Sequence, residues 1–109
     1  MIDWDRLNEL RAEIGDEDLA DVVGVFLDET DEVMARIRLV PACEMEGRLH
    51  FLKGSALNLG LRDFADLCQD GEKRAAAGQA APVDLDQLAA VYQASKTAFL
   101  GALAQGTAA

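Results

Sequence analysis

An all-α fold, an antiparallel four-helix bundle with an additional short N-terminal helix, is predicted by three features of the sequence. Apolar residues recur at steps of three and four along nearly the whole chain. Capping residues and glycines divide that pattern into five segments. Strand signals are missing: no segment alternates polar and apolar residues over a useful length, and no hairpin turn joins two such runs. The 109 residues fit a single domain spanning 1–109, with helices expected near 3–14, 17–40, 42–59, 61–77 and 85–105.

Each segment has its own start and stop. In the first, Asp3 can cap a helix carrying Leu7, Leu10 and Ile14, and Ile2 with Leu7 has the spacing of a hydrophobic staple. Gly15 ends it, and Asp16 can cap the second helix. That helix shows Leu19, Val23, Phe26, Thr30, Val33, Ile37 and Val40, a stripe suited to shallow-angle bundle packing. Pro41 stops it or starts the next. Met45, Leu49, Leu52, Ala56 and Leu59 mark the third helix, with Gly60 at its C′ position. The fourth has Phe64, Leu67 and Cys68 on its apolar side and can close at Gly78. A loop is expected over Gln79–Val83, which contains Pro82. Asp84, with Gln87 at the capping-box position, opens a last helix whose buried side carries Leu85, Leu88, Tyr92, Phe99 and Leu103. A frayed tail is expected from Gly106.

Charge excludes several classes of function. The formal net charge is −10, which opposes nucleic-acid binding and adhesion to anionic membrane. No apolar run approaches the roughly 20 residues of a membrane span, and no secretory leader is visible, so a cytoplasmic location is expected. The excess is uneven: residues 1–32 hold twelve acids and two bases, whereas the remainder is balanced. Cys43 and Cys68 read as two reduced, buried thiols. Two cysteines and one histidine are too few ligands for a zinc site.

The chemistry concentrates at that single histidine, His50, in the middle of the third helix. At about 100° per residue, His50 points away from the centre of the core stripe, and Glu46, Gly47, Lys53, Gly54 and Leu57 lie within about 60° of it. Gly47 and Gly54 leave the ring free of bulky neighbours, although glycines can also serve close helix packing. From Gly47 to Arg62 there are three bases and no acid, and Lys53, three residues on, can reach the space over the ring. An imidazole in such surroundings suits covalent carriage of a phosphoryl group. Hydrolysis fits poorly. Ser55 lies about 140° away on the same helix and Cys43 is two turns off, so no triad forms. No glycine-rich nucleotide loop is present.

The run His50-Phe51-Leu52-Lys53-Gly54-Ser55-Ala56-Leu57-Asn58-Leu59-Gly60 closely resembles the signature of histidine-containing phosphotransfer (HPt) domains, and the likeness continues into Leu61, Leu67-Cys68 and Glu72. The resemblance implies that His50 accepts a phosphoryl group from a receiver-domain aspartyl phosphate and passes it to another receiver aspartate. It implies a phosphotransfer protein without kinase or hydrolase activity of its own. It needs no cofactor, because Mg²⁺ belongs to the partner receiver. Lys53 would then steady the phosphoryl oxygens. Gln69 and Glu72, spaced i, i+3 on the fourth helix, are candidates to bond the other ring nitrogen. Gly47 and Gly54 would permit close approach, while Phe51, Leu57, Asn58 and Leu61, which lie within about 100° of His50 on the helical projection, would offer the docking patch that receivers meet. Expected partners are response-regulator receivers and a hybrid sensor histidine kinase, with the chain itself a monomer. Gly71 departs from the pattern, standing where an apolar residue is usual, and either loosens the fourth helix or brings it closer. The rival reading is a non-catalytic adaptor that binds a kinase or receiver without carrying phosphate.

Overall fold

A computed structural model of the chain describes residues 2–78 and 83–104. Five α-helices run in order: α1 (Trp4–Ile14), α2 (Asp16–Arg36), α3 (Ala42–Leu59), α4 (Arg62–Ala76) and α5 (Leu85–Ala104). Among the described residues there is no strand. One isolated antiparallel bridge joins Ile2 to Leu61. The chain forms an elongated body of 42 × 21 × 20 Å, in which consecutive long helices pack on one another and α1 lies against α2 and α3. Residues 79–82 of the loop expected over 79–83, the end of the last helix at 105 and the tail from Gly106 fall outside the described residues.

Local chemistry sets most boundaries. Asp3 caps α1 by accepting from the Arg6 backbone N–H at 3.1 Å, and Asp84 does the same for Gln87 at 2.9 Å. Asp16 is not a cap. It is the first residue of α2, and Gly15 at φ 90° makes the one-residue corner between α1 and α2. Asp16, Glu17 and Asp18 instead complement the positive end of the α2 dipole. The second helix is also shorter than its apolar stripe. It ends at Arg36, and Ile37–Leu39 tighten into a 3₁₀ turn. Pro41 is the physical reason: it disfavours helical geometry at the residue before it, and Val40 is extended at ψ 127°. Ile37 nevertheless stays buried, so the stripe keeps its register across the change.

The α3–α4 corner decides where the site sits. Gly60 adopts φ 79°; its N–H bonds the Leu57 carbonyl, and the Leu61 N–H bonds the Ala56 carbonyl at 2.8 Å. This is the Schellman arrangement, which needs a left-handed residue at that point. Side chains at 60 have no room either, because a Cβ there would stand 3.0 Å from Asp3 Cβ. The corner therefore folds α4 straight back along α3. His50 and Glu72 each lie about 15 Å from it at 1.5 Å rise per residue, so they meet at one level.

The core runs the length of the bundle: Leu7, Leu19, Val23, Leu49, Leu52, Leu59, Phe64, Tyr92 and Phe99 are essentially inaccessible. Each such apolar side chain contributes roughly 2 kcal/mol of burial. Phe64 and Tyr92 tilt against each other at 4.9 Å between centroids. Polar links join α2 to α5, where Asp31 accepts from the Tyr92 hydroxyl at 2.5 Å and pairs with Lys96 at 2.7 Å, and Arg38 of the 3₁₀ turn pairs with Asp86.

The two cysteines differ, against the expectation that both are buried. Cys68 lies in the core, but Cys43 is exposed in the first turn of α3, away from the apolar stripe. Burial, and then the negative charge of Glu72, push the Cys68 thiol up to about 12. Alkylation of the native protein at neutral pH is therefore expected to modify one thiol rapidly, with the second reacting only in denaturant. Intact-mass spectrometry reads the count, and two fast native reactions would contradict this packing.

Candidate functional site

His50 sits on the outward face of α3 with its side chain 69% exposed. Its Nδ1 lies 2.8 Å from Glu72 Oε2 on α4. The other Glu72 oxygen, Oε1, lies 2.7 Å from Lys53 Nζ. That second contact is a close ion pair, and Lys53 is the partner of this buried oxygen. Glu72 thus holds two groups of α3 at once, and both it and Lys53 are largely covered, at 19% and 22% exposure.

The carboxylate fixes the ring's tautomer. Chiefly through Lys53, and then through His50, Glu72 is held below the usual carboxylate range despite an opposing effect of burial. An ionised carboxylate only accepts, so Nδ1 carries the proton and donates it. In the neutral ring Nε2 then keeps its lone pair and faces outward, the orientation of a nucleophile.

The structure separates the two candidates on the fourth helix. Glu72 bonds the ring. Gln69 is exposed and makes no hydrogen bond to it. Gly47 and Gly54 flank His50 in the open: a Cβ at either would meet nothing within 4 Å. Among the described residues they do not serve helix packing, although each costs its helix up to about 1 kcal/mol relative to alanine. Phe51 and Leu57 are exposed at 40% and 56%, and Asn58 is exposed too. Leu61 is not part of this face. It is 1% exposed, closed over by the N-terminal segment through its bridge to Ile2. The angular projection placed it near His50 by continuing α3 past Gly60, where the chain in fact turns.

Two features escaped sequence reasoning. A groove of about 390 Å³ beside Phe51 is lined by Glu29, Glu32, Val33, Arg36, Val40 and Arg48. One wall comes from α2 and the other from α3, with Val40 between them, a juxtaposition of helices that periodicity does not reveal. The second is the fate of the basic window. Arg48 pairs with Glu44 at 3.7 Å, Lys53 with Glu72 at 2.7 Å and Arg62 with Asp3 at 3.3 Å. Every base between Gly47 and Arg62 has an acid from outside the window, so the spot is not a reserve of free cations.

Among the described residues no group of three or more His, Cys, Asp or Glu side chains could hold a metal ion, and no helix is long and apolar enough to cross a membrane. Residues 5–98 match the family model described as Hpt domain. Comparison with curated proteins and with solved structures gives no match.

The lowered Glu72 acidity has a pH signature. Its folded value lies below the ordinary 4.5, so its stabilisation is present above that pH and fades as the pH falls through the lowered folded value. Replacing it (Glu72→Ala) is expected to cost about 1 kcal/mol near neutrality. Melting temperatures of the two proteins should converge under acid. A gap that stays constant from pH 7 down to pH 3 would exclude this coupling.

Proposed function

The chain belongs to the Hpt domain family, whose role is phosphotransfer in two-component systems, and on that premise we propose that it is a relay intermediate with His50 as the phosphoryl carrier. The observation that supports this most is the pairing of an outward Nε2 with a carboxylate on Nδ1. Nε2 attacks the phosphorus of a receiver aspartyl phosphate. The N–P bond forms as the acyl O–P bond breaks, and the receiver's aspartate leaves as carboxylate. The ring gains positive charge in this step, and Glu72 lies against the proton that carries it. Return transfer to a second receiver runs through the same atoms in reverse.

Lys53 is the residue to neutralise the phosphoryl oxygens, but its ammonium must first leave Glu72, 2.7 Å away. The phosphoryl dianion supplies a stronger partner for it. Gly47 and Gly54 leave room for the rim of the receiver pocket, and Phe51, Leu57 and Asn58 form the docking face. The chain needs no metal of its own in this reading, since Mg²⁺ comes with the receiver. Partners are receiver domains and a hybrid sensor kinase that carries one, and the working species is a monomer.

Incubation with a phosphorylated receiver is expected to give acid-labile, base-stable label on the wild-type chain and none on His50→Gln. Label on the variant would overturn the assignment. Receiver binding without any transfer to wild type would favour the adaptor reading.

Alanine at position 54 gives a sharper test of close approach. Gly54→Ala meets no atom in this chain, so it should stabilise α3 by about 0.5–1 kcal/mol while slowing transfer at least several-fold. Thermal melts and transfer kinetics measured together decide the point. A stabilised variant that transfers at the wild-type rate would remove Gly54 from the interface.

A further inference from the structure

Gly71 is buried in the middle of α4 and has helical backbone, so no positive φ demands glycine there. What demands it is Leu49. A Cβ at position 71 would stand 3.0 Å from Leu49 Cδ1, with Val83 Cγ1 at 3.4 Å and Leu49 Cδ2 at 3.7 Å. Among the described glycines in helical backbone this is the only one so crowded; Gly24, Gly47, Gly54 and Gly101 all have open space. Leu49 cannot simply swing away, since it is 0% exposed in the close-packed core.

The sequence neighbours of this contact give it meaning. Leu49 immediately precedes His50, and Gly71 immediately precedes Glu72. The bare backbone at 71 lets α4 settle onto Leu49, and one residue further on each helix the carboxylate reaches Nδ1 at 2.8 Å. Hydrogen bonds weaken quickly beyond about 3.2 Å, so a shift of a few tenths of an ångström at the contact is enough to loosen the ring's tether.

We propose that Gly71 is a positioning residue for His50: the absent side chain sets the α3–α4 spacing that keeps Glu72 on Nδ1 and the lone pair on Nε2. This rests on the functional reading above for its consequence, but its geometry can be tested without phosphate. His50 is the chain's single histidine, so ring-nitrogen NMR reports its tautomer without overlap. In alkaline solution the wild type should show the proton on Nδ1.

In Gly71→Ala the Nε2–H form should become populated, and transfer at saturating phosphorylated receiver should slow by three- to about tenfold, with half-saturation unchanged. The double variant Gly71→Ala/Leu49→Val removes both crowding carbons at nearly conserved volume, and should recover the Nδ1–H form and the rate. Gly24→Ala, remote and unhindered, should alter neither. Circular dichroism and melting confirm that each variant is folded. A folded Gly71→Ala with the wild-type tautomer would overturn the proposal, as would a folded double variant that recovers nothing. A wild type that accepts no phosphoryl group would instead defeat the relay reading, leaving the tautomer comparison to decide the role of Gly71.

Discussion

One carboxylate, shared between two side chains of the neighbouring helix, ties this fold to its chemistry. Glu72 accepts from His50 through one oxygen and pairs with Lys53 through the other. Everything upstream serves that meeting. The left-handed Gly60 folds α4 back along α3, the buried Leu52, Leu59 and Phe64 hold the two helices together, and the bare backbone at Gly71 leaves room for Leu49 between them. Exposed ion pairs are generally worth little. This one is different because it is largely covered and because its partner is a ring whose reactive nitrogen is selected by the bond.

The charge distribution reads differently once the ion pairs are known. A net charge of −10 concentrated in residues 1–32 supplies partners as well as solubility. Asp3 reaches Arg62, and Asp31 reaches Lys96. The acidic third neutralises bases elsewhere and links α1 and α2 to the rest of the bundle. Around His50 the same logic holds on a smaller scale: Lys53 is already committed to Glu72, and Arg48 to Glu44. In the proposed relay, an incoming phosphoryl group therefore exchanges partners within an existing network instead of filling a vacant cationic pocket.

Helix periodicity and capping chemistry made the all-α architecture legible, because each helix carries its own punctuation at Asp3, Gly15, Gly60 and Asp84. His50 was legible through its solitude and its flanking glycines. What could not be read are the relations between helices. Leu61 projects toward His50 only if α3 continues, and a single left-handed residue cancels that projection. Glu72 and Gln69 share a helical face, and only the depth of α4 against α3 separates a bonded carboxylate from an exposed amide. The shortening of α2 depends on Pro41, five residues beyond its last helical residue, although the apolar stripe runs on regardless.

The same arrangement explains why a histidine so open to water suits carriage better than hydrolysis. Water attack on a phosphohistidine gains from a base beside the phosphorus. The carboxylate that touches this ring lies on the Nδ1 side, with one oxygen on the imidazole and the other on an ammonium. It is placed to stabilise the charged ring and not to deprotonate water at Nε2. Displacing Lys53 toward the phosphoryl group would leave Glu72 facing the imidazolium more strongly, since that cation is then its remaining close partner. Each half of the split pair thus acquires an opposite charge, Lys53 from the phosphoryl oxygens and Glu72 from the ring. In the proposed relay the carrier state is thus stabilised at both ends, and among the described residues the carboxylate beside the ring is not placed to consume it, which leaves release to whatever acceptor the partner brings.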